Sequence, residues 1–306
     1  MSKKVLVMMG GFSSEREVSL VSGKGIAEAL KEKGYDVIPH DLKDVSEFIK
    51  VLQNEKPDVV FNALHGNWGE DGEIQGFLDL LQIPYTHSGL RPLAVSMDKY
   101  LTKLLAKSNG IKIADDEKMT YAAFKKNGTS LKMPYVVKPV SDGSSVGVFI
   151  IQSEEDLKNV SYDDDNEEIL IEKFISGREL TCAVFDGKAL AVTELRPKAE
   201  FYDYKAKYTN GMTEHVLPAE LPEDVTATCM RYAERLHKKL GCSMVSRCDF
   251  RYNPDDGVVL LEINTAPGMT PLSLVPEQAK YRGISYADLC SRLVENATCR
   301  QLPKIS

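Results

Sequence analysis

Glu262 and Asn264 stand two residues apart, and so do Arg247 and Asp249 a short way upstream. Side chains two apart on a strand share a face, so each pair would present its polar groups together. A carboxylate beside an amide oxygen suits a hard cation such as Mg²⁺. The surrounding stretches predict strands. Met244-Val-Ser-Arg-Cys-Asp-Phe-Arg-Tyr252 alternates, and Val258-Val-Leu-Leu261 is a short apolar run leading into Glu262. Asn253-Pro-Asp-Asp-Gly257 between them is dense in turn residues, which joins the runs as a β-hairpin. With a loop over 254–257, Asp249 faces Glu262 and Arg247 faces Asn264. Opposed carboxylates repel unless a cation lies between them. The plainer reading is a solvated acidic sheet face; Asn264, Arg247 and the Pro267-Gly268 break favour a site.

Other residues suggest phosphate chemistry. Tyr135-Val-Val-Lys-Pro139, Ser141-Asp-Gly-Ser-Ser-Val-Gly147 and Val148-Phe-Ile-Ile151 read as strand, glycine-serine loop and strand. The loop is oversized for a plain turn, and its N–H groups and hydroxyls could wrap phosphate oxygens with Lys138 supplying charge. No Walker A pattern occurs, which argues against a P-loop NTPase. Lys99 lies in the first turn of a helix capped by Asp98, against the usual dipole preference. It is either a solvated lysine or an answer to a phosphate. Residues 201–211 pack four aromatics and two lysines into eleven positions, the composition of a lid closing on an anionic ligand.

Gly10-Gly-Phe-Ser-Ser-Glu-Arg-Glu17 follows the first strand, at the end where α/β sheets bind ligands. It is not GxGxxG, so dinucleotide binding by a nicotinamide-dependent oxidoreductase is a poor reading. Either Ser13 or Ser14 caps the next helix, or Glu15 faces a ligand ammonium. His65 opens a loop with four glycines, through Gly76, and is either a packed loop histidine or part of a site.

These groups need a scaffold to position them. Residues 1–95 alternate strand and helix: strands at 4–9, 35–39 and 58–61, and an amphipathic helix at 17–33 ending at Gly34. That rhythm implies a parallel sheet flanked by helices. A second unit, 96–180, holds the flap, a solvated acidic loop at 159–168, and a strand at 169–175 offering an edge and an apolar wall to an adenine. The third, 181–306, holds the lid, a helix at 223–240 ending at Gly241, and the hairpin. The 306 residues are 43% hydrophobic and 27% charged with a net charge of −7, which argues against nucleic acid or an anionic membrane as partner. No apolar run approaches the roughly 20 residues that span a bilayer, and residues 5–9 are too short for a signal core. Six scattered cysteines without CxxC spacing read as reduced thiols of a cytoplasmic protein.

Taken together, the sequence closely resembles the D-alanine–D-alanine ligases of the ATP-grasp superfamily over nearly its whole length. The motifs are Gly10-Gly-Phe-Ser-Ser-Glu-Arg-Glu-Val-Ser19, His65-Gly with Gly69-Glu-Asp-Gly72, Lys138-Pro139 with Gly143-Ser-Ser-Val-Gly147, Phe201-Tyr-Asp-Tyr-Lys-Ala-Lys-Tyr208, Arg247-Cys-Asp249 and Glu262-Ile-Asn-Thr-Ala-Pro-Gly-Met269. The resemblance implies a mixed α/β, ATP-grasp fold with an N-terminal Rossmann-like domain (1–95), a central subdomain (96–180) and a C-terminal subdomain (181–306). It implies ATP-dependent joining of two D-alanines through an acyl phosphate, for peptidoglycan precursors, by a cytoplasmic homodimer.

On the same grounds Asp249, Glu262 and Asn264 would hold two Mg²⁺ or Mn²⁺ ions, and Lys99, Lys138 and Lys207 would neutralise phosphates. Arg247 and the Gly268 N–H would stabilise an oxyanion. Glu15 would pair with the first substrate's ammonium, braced through Ser144 and Tyr208, with His65 nearby. Ser273 and the Leu274 backbone would take the second substrate's carboxylate. Glu172, Phe174, Ile175, Glu179 and Phe201 match adenine and ribose contacts. Tyr208 suggests a dipeptide product over the depsipeptide of D-lactate-accepting relatives. D-alanine–D-lactate or D-alanine–D-serine ligation, and a nucleotide-binding module without chemistry, are the alternatives. Two departures stand out: Lys205 replaces a glutamate common in relatives, and residues 111–118 lack the prolines many relatives carry at this joint.

Overall fold

The computed structural model describes residues 2–141, 147–197 and 213–302. β1 (Lys4–Gly10) is an apolar run buried on both faces, the pattern of a central strand in a parallel sheet. Val5, Val7 and Met9 enter one core cluster and Leu6 and Met8 another, as a period of two requires. β2 (Asp36–Leu42) and β3 (Val59–Asn62) pair with β1 in parallel, in the order β2-β1-β3. α1 (Arg16–Glu32) covers one side with Ile26 and Leu30, and α2 (Val45–Glu55) the other with Phe48 and Leu52. The expected βαβ unit is therefore present. Of the two readings of the loop before α1, the serine cap is not realised: Glu15 holds the cap position and no side chain caps the helix. The Ser13 hydroxyl donates instead to the His65 carbonyl at 2.6 Å, tying the two loops beyond β1 and β3 together.

α3 (Glu73–Leu80) and α4 (Leu90–Met97) lead to α5 (Lys99–Ser108), whose cap is the predicted one: Asp98 Oδ1 accepts from the Leu101 N–H at 2.8 Å. β4 (Asp116–Thr120), β5 (Tyr135–Pro139), β6 (Phe149–Ile151) and β7 (Glu168–Lys173) form an antiparallel sheet in the order β4-β7-β5-β6. On one face Tyr135, Val137, Ile169 and Ile171 pack with Phe124 of α6 (Tyr121–Asn127). In register, Asp116 and Val136 both lie opposite Glu172, and Lys138 follows Val136 by two. Asp116, Glu172 and Lys138 therefore share the other face.

The third sheet is antiparallel, in the order β10-β9-β8-β11-β12: β8 (Arg178–Phe185), β9 (Lys188–Pro197), β10 (Thr213–Val216), β11 (Val245–Asn253) and β12 (Gly257–Asn264). The amphipathic α7 (Glu223–Leu240), ended by Gly241 in the left-handed region, buries Cys229, Ala233 and Leu236 against Cys248, Phe250 and Leu260. α8 (Leu274–Tyr281) and α9 (Tyr286–Glu295) close the chain, and Leu289 and Leu293 of α9 return to the core beneath α1.

The hairpin differs from expectation by one residue. Asn253 pairs with Gly257, so the loop is 254–256. Asn253 Oδ1 ties it by accepting from the Asp255 and Asp256 N–H groups, and Gly257 takes φ +67°. The pairing then shifts between Asp249 and Phe250, leaving Leu261 unpaired. That β-bulge restores the expected register where it matters, with Asp249 opposite Glu262 and Arg247 opposite Asn264. Phe250 anchors the hairpin's buried face and is 0% exposed. Phe250→Ala should cost about 3–5 kcal/mol in urea unfolding followed by circular dichroism; a loss below about 1 kcal/mol would show that this side chain does not set the core.

Candidate active site

A cavity of about 1250 Å³ opens where the three sheets meet. Its hairpin wall carries Arg247, Asp249, Glu262 and Asn264. Arg247 grips Asp249 in a fork, Nε donating to Oδ1 at 3.0 Å and Nη2 to Oδ2 at 2.8 Å. Thr181 Oγ1, directly opposite on β8, donates to Asp249 Oδ1 at 2.6 Å. The guanidinium of Arg247 is thus the cation paired with Asp249. Asn264 Oδ1 accepts from the Ala266 N–H at 3.0 Å, which fixes the amide as the chain leaves β12. Among the described residues no three of His, Cys, Asp and Glu are grouped to hold a metal ion. The oxygen-only set of two carboxylates and one amide fits Mg²⁺ chemically once ligand oxygens complete it.

The wall opposite carries a row of buried charges. Lys138 Nζ donates to Glu172 Oε1 at 2.6 Å, Lys103 Nζ to Glu172 Oε2 at 2.6 Å, and Lys103 Nζ also lies 2.7 Å from Asp116 Oδ2. Burial alone would raise the Glu172 carboxyl, but the Lys138 and Lys103 ammoniums outweigh it and hold it down at about 2. Glu172, expected as a purine contact, and Lys138, expected at phosphate, are therefore ion-paired to each other here. Lys99, Phe174 and Ile175 also line the cavity, and Glu179 of β8, opposite Arg251, lines it from the hairpin's own sheet.

The end nearest the parallel sheet gathers Glu15, His65 and Glu70. Both ring nitrogens of His65 are engaged, Nδ1 with Glu70 Oε1 at 3.2 Å and Nε2 with Ser22 Oγ at 3.1 Å. Burial raises the Glu70 carboxyl, with His65 opposing. Gly66 brings backbone against Glu15: a Cβ there would sit 3.3 Å from Glu15 Oε2. Facing them, a Cβ on Gly268 would sit 3.2 Å from Ser273 Oγ and 3.9 Å from His65 Cε1, so the two loops converge. Ser273 precedes α8 without capping it; its Oγ is held by Thr270. Leu274, in the first turn of α8, is on the cavity wall.

All the expected site residues among those described line this one cavity; Ser144, Phe201, Lys205, Lys207 and Tyr208, and with them the expected lid, lie outside the described residues. Sequence reasoning missed Lys103, Thr181, Glu70 and Ser22. Lys103 had a signal, because it occupies a buried position of α5 beside Thr102 and one turn before the buried Ala106. Residues 105–295 match the family described as D-ala D-ala ligase C-terminus, and residues 4–56 and 46–88 match the D-ala D-ala ligase N-terminus. The chain belongs to the D-alanine–D-alanine ligase family. It is 50% identical to the D-alanine–D-alanine ligase of Erythrobacter litoralis, covering 96% of this chain and 93% of that one. Identity to the ligase of Gluconobacter oxydans is also 50%, over 97% of this chain and 100% of the other. The crystal structure of the Bacillus anthracis ligase complexed with ATP superposes with a TM-score of 0.81 at 34% identity, covering 97% of both chains.

In this ligase-family chain the depressed Glu172 carboxyl links stability to pH. Its contribution is fully present above the ordinary value of 4.5 and is lost as pH falls from there towards about 2. The expected loss across that window is on the order of 3 kcal/mol, read from urea midpoints. Glu172→Gln should flatten this acid limb; an unchanged limb would place the acid sensitivity elsewhere.

Proposed function

We propose that the chain joins two D-alanines into D-alanyl-D-alanine, converting ATP to ADP and phosphate. What carries the reading is that one cavity, in a chain of this family, is lined by phosphate-seeking lysines, an oxygen-donor pair and a helix N-terminus. The carboxylate of the first D-alanine attacks the γ-phosphorus, ADP leaves, and an acyl phosphate results. The amine of the second D-alanine then attacks the acyl carbon, and the C–O bond to phosphate breaks.

Each group of residues has a place in this sequence. Lys99 and Lys138 hold phosphate oxygens, and Glu172, Phe174, Ile175 and Glu179 receive the nucleoside. Asp249, Glu262 and Asn264 would hold Mg²⁺, which when bound neutralises charge on the phosphates undergoing transfer. Glu15, buried beside Gly66, takes the ammonium of the first D-alanine, and His65, held by Glu70 and Ser22, shapes that pocket. The N-terminus of α8, at Ser273 and Leu274, takes the carboxylate of the second. That leaves the reacting carbonyl between Arg247 and the Gly268 N–H, where the tetrahedral oxyanion develops. Asp249 keeps the guanidinium plane in place before substrate arrives. Lys207, Ser144 and Tyr208 belong to the same reading through their motifs. A homodimer also belongs to it, to be read by light scattering.

The reading is tested by phosphate release with ATP and D-alanine alone, against D-alanine with D-lactate, D-serine or L-alanine. D-alanine alone should suffice; release that needs a second kind of acid would reassign the product. Arg247→Ala should lower kcat by about a hundredfold or more, the size of a lost oxyanion donor. A rise in KM with kcat unchanged would move Arg247 to a binding role.

A further inference from the structure

Lys103 has no part in the mechanism above, yet it is among the most deeply buried charged groups described, 1% exposed in the middle of α5. A lone ammonium there would be costly, and two carboxylates meet it: Asp116 from β4 and Glu172 from β7. The partition of Glu172 is informative. Lys103 takes Oε2 and Lys138 takes Oε1. Lys138 and Glu172 line the cavity, and Lys103 stands behind it.

We infer that Lys103 is a positioning residue for the nucleotide: holding Glu172 from behind through Oε2, it lets Lys138 leave Oε1 for a phosphate oxygen and presents the vacated oxygen to an amino hydrogen of the purine. This rests on the reading of the cavity as an ATP site.

Charge balance is what assigns Lys103 its role. Two ammoniums and two carboxylates alternate along the row Lys138, Glu172, Lys103, Asp116. When Lys138 turns to a phosphate, a Glu172 without Lys103 would be left as a buried carboxylate with no ammonium in this row. It would then either retain Lys138 and resist the nucleotide, or take up a proton and lose its value as an acceptor. With Lys103 in place it keeps one ammonium throughout, and the freed oxygen still points at the ligand. Asp116 completes the device by anchoring Lys103 from the neighbouring strand, so that Lys103 cannot follow Lys138 into the cavity. Neutrality alone would be met by two separate pairs; sharing Glu172 between two lysines is what permits one to depart.

The test is steady-state kinetics of the full-length protein, using phosphate release with ATP and D-alanine. Lys103→Met should raise the KM for ATP about tenfold or more, while the KM for D-alanine moves less than about twofold. The same change on a Glu172→Gln background should move the KM for ATP by less than about twofold, because a neutral side chain needs no ammonium behind it. A comparable rise on both backgrounds would make Lys103 a structural residue and overturn the proposal, as would an unchanged KM for ATP in Lys103→Met. Should Lys103→Met fail to fold, the comparison of Glu172→Gln with Glu172→Gln/Lys103→Met still decides. Unsubstituted protein that releases no phosphate with D-alanine would sink the ligase reading itself, a result separate from either outcome for Lys103.

Discussion

Side chains on a strand alternate, so the bulge at Leu261 decides whether Glu262 and Asn264 stand beside Arg247 and Asp249 or behind them with Phe250 and Leu260. The buried face fixes the outcome. Cys248, Phe250, Leu260 and Ile263 are withdrawn into the core beneath α7, and no register that exposes them survives the loss of apolar burial. With that face committed, the short loop would leave Glu262 out of phase with Asp249. One unpaired residue absorbs the mismatch and puts the oxygen donors back on the cavity wall. The hydrophobic effect on one side of the sheet thus sets the placement of charge on the other.

The charges themselves are kept in mutually satisfied sets. Arg247 with Asp249, and Lys103 and Lys138 about Glu172, are ion pairs in largely buried surroundings, where removing one partner costs much more than the pair contributes. Such pairs are weak evidence of stability. Their effect is to hold polar groups oriented before a ligand arrives, so that the reaction does not have to arrange them. Glu172 illustrates the point: two ammoniums keep it ionised against burial, so an acceptor rather than a neutral acid faces the cavity.

Much of this could be read from the chain, and the exceptions have physical causes. The βαβ start, the Asp98 cap, the Gly241 stop and the pairing of Asp249 with Glu262 follow from local rules of period, capping and turn chemistry. The loop length was misjudged because Gly257 looks like a turn residue and is in fact the first residue of β12. The chain leaves open whether Ser13 or Ser14 caps α1, because the partner of Ser13, the carbonyl of His65, is 52 residues away. Lys103 and Thr181 escaped notice for the same reason: each is defined by a carboxylate brought to it from a distant strand. Local pattern reports which face a residue occupies, and only the folded sheet reports what it meets there.

The joint between the second and third sheets shows the same division. Residues 111–118 carry no proline to stiffen them, yet the segment is fixed by backbone pairing. The Leu260 N–H donates to the Lys112 carbonyl at 2.9 Å, and Ile113 bridges to Leu260 in parallel. The hairpin tip is held at the same edge, where Asp256 accepts from Lys173 at 2.8 Å through its carboxylate and from Lys112 through its carbonyl. Ile175, Ala114 and Val259 close a small apolar cluster beneath these ties. The wall bearing Lys138 and Glu172 is therefore referenced to the very strand that carries Glu262 and Asn264. A proline would restrict the joint's own backbone dihedrals, whereas a hydrogen bond to β12 also sets its distance from the oxygen donors. For a site whose proposed phosphate-binding and metal-binding groups stand on different sheets, that distance is the quantity that must be fixed.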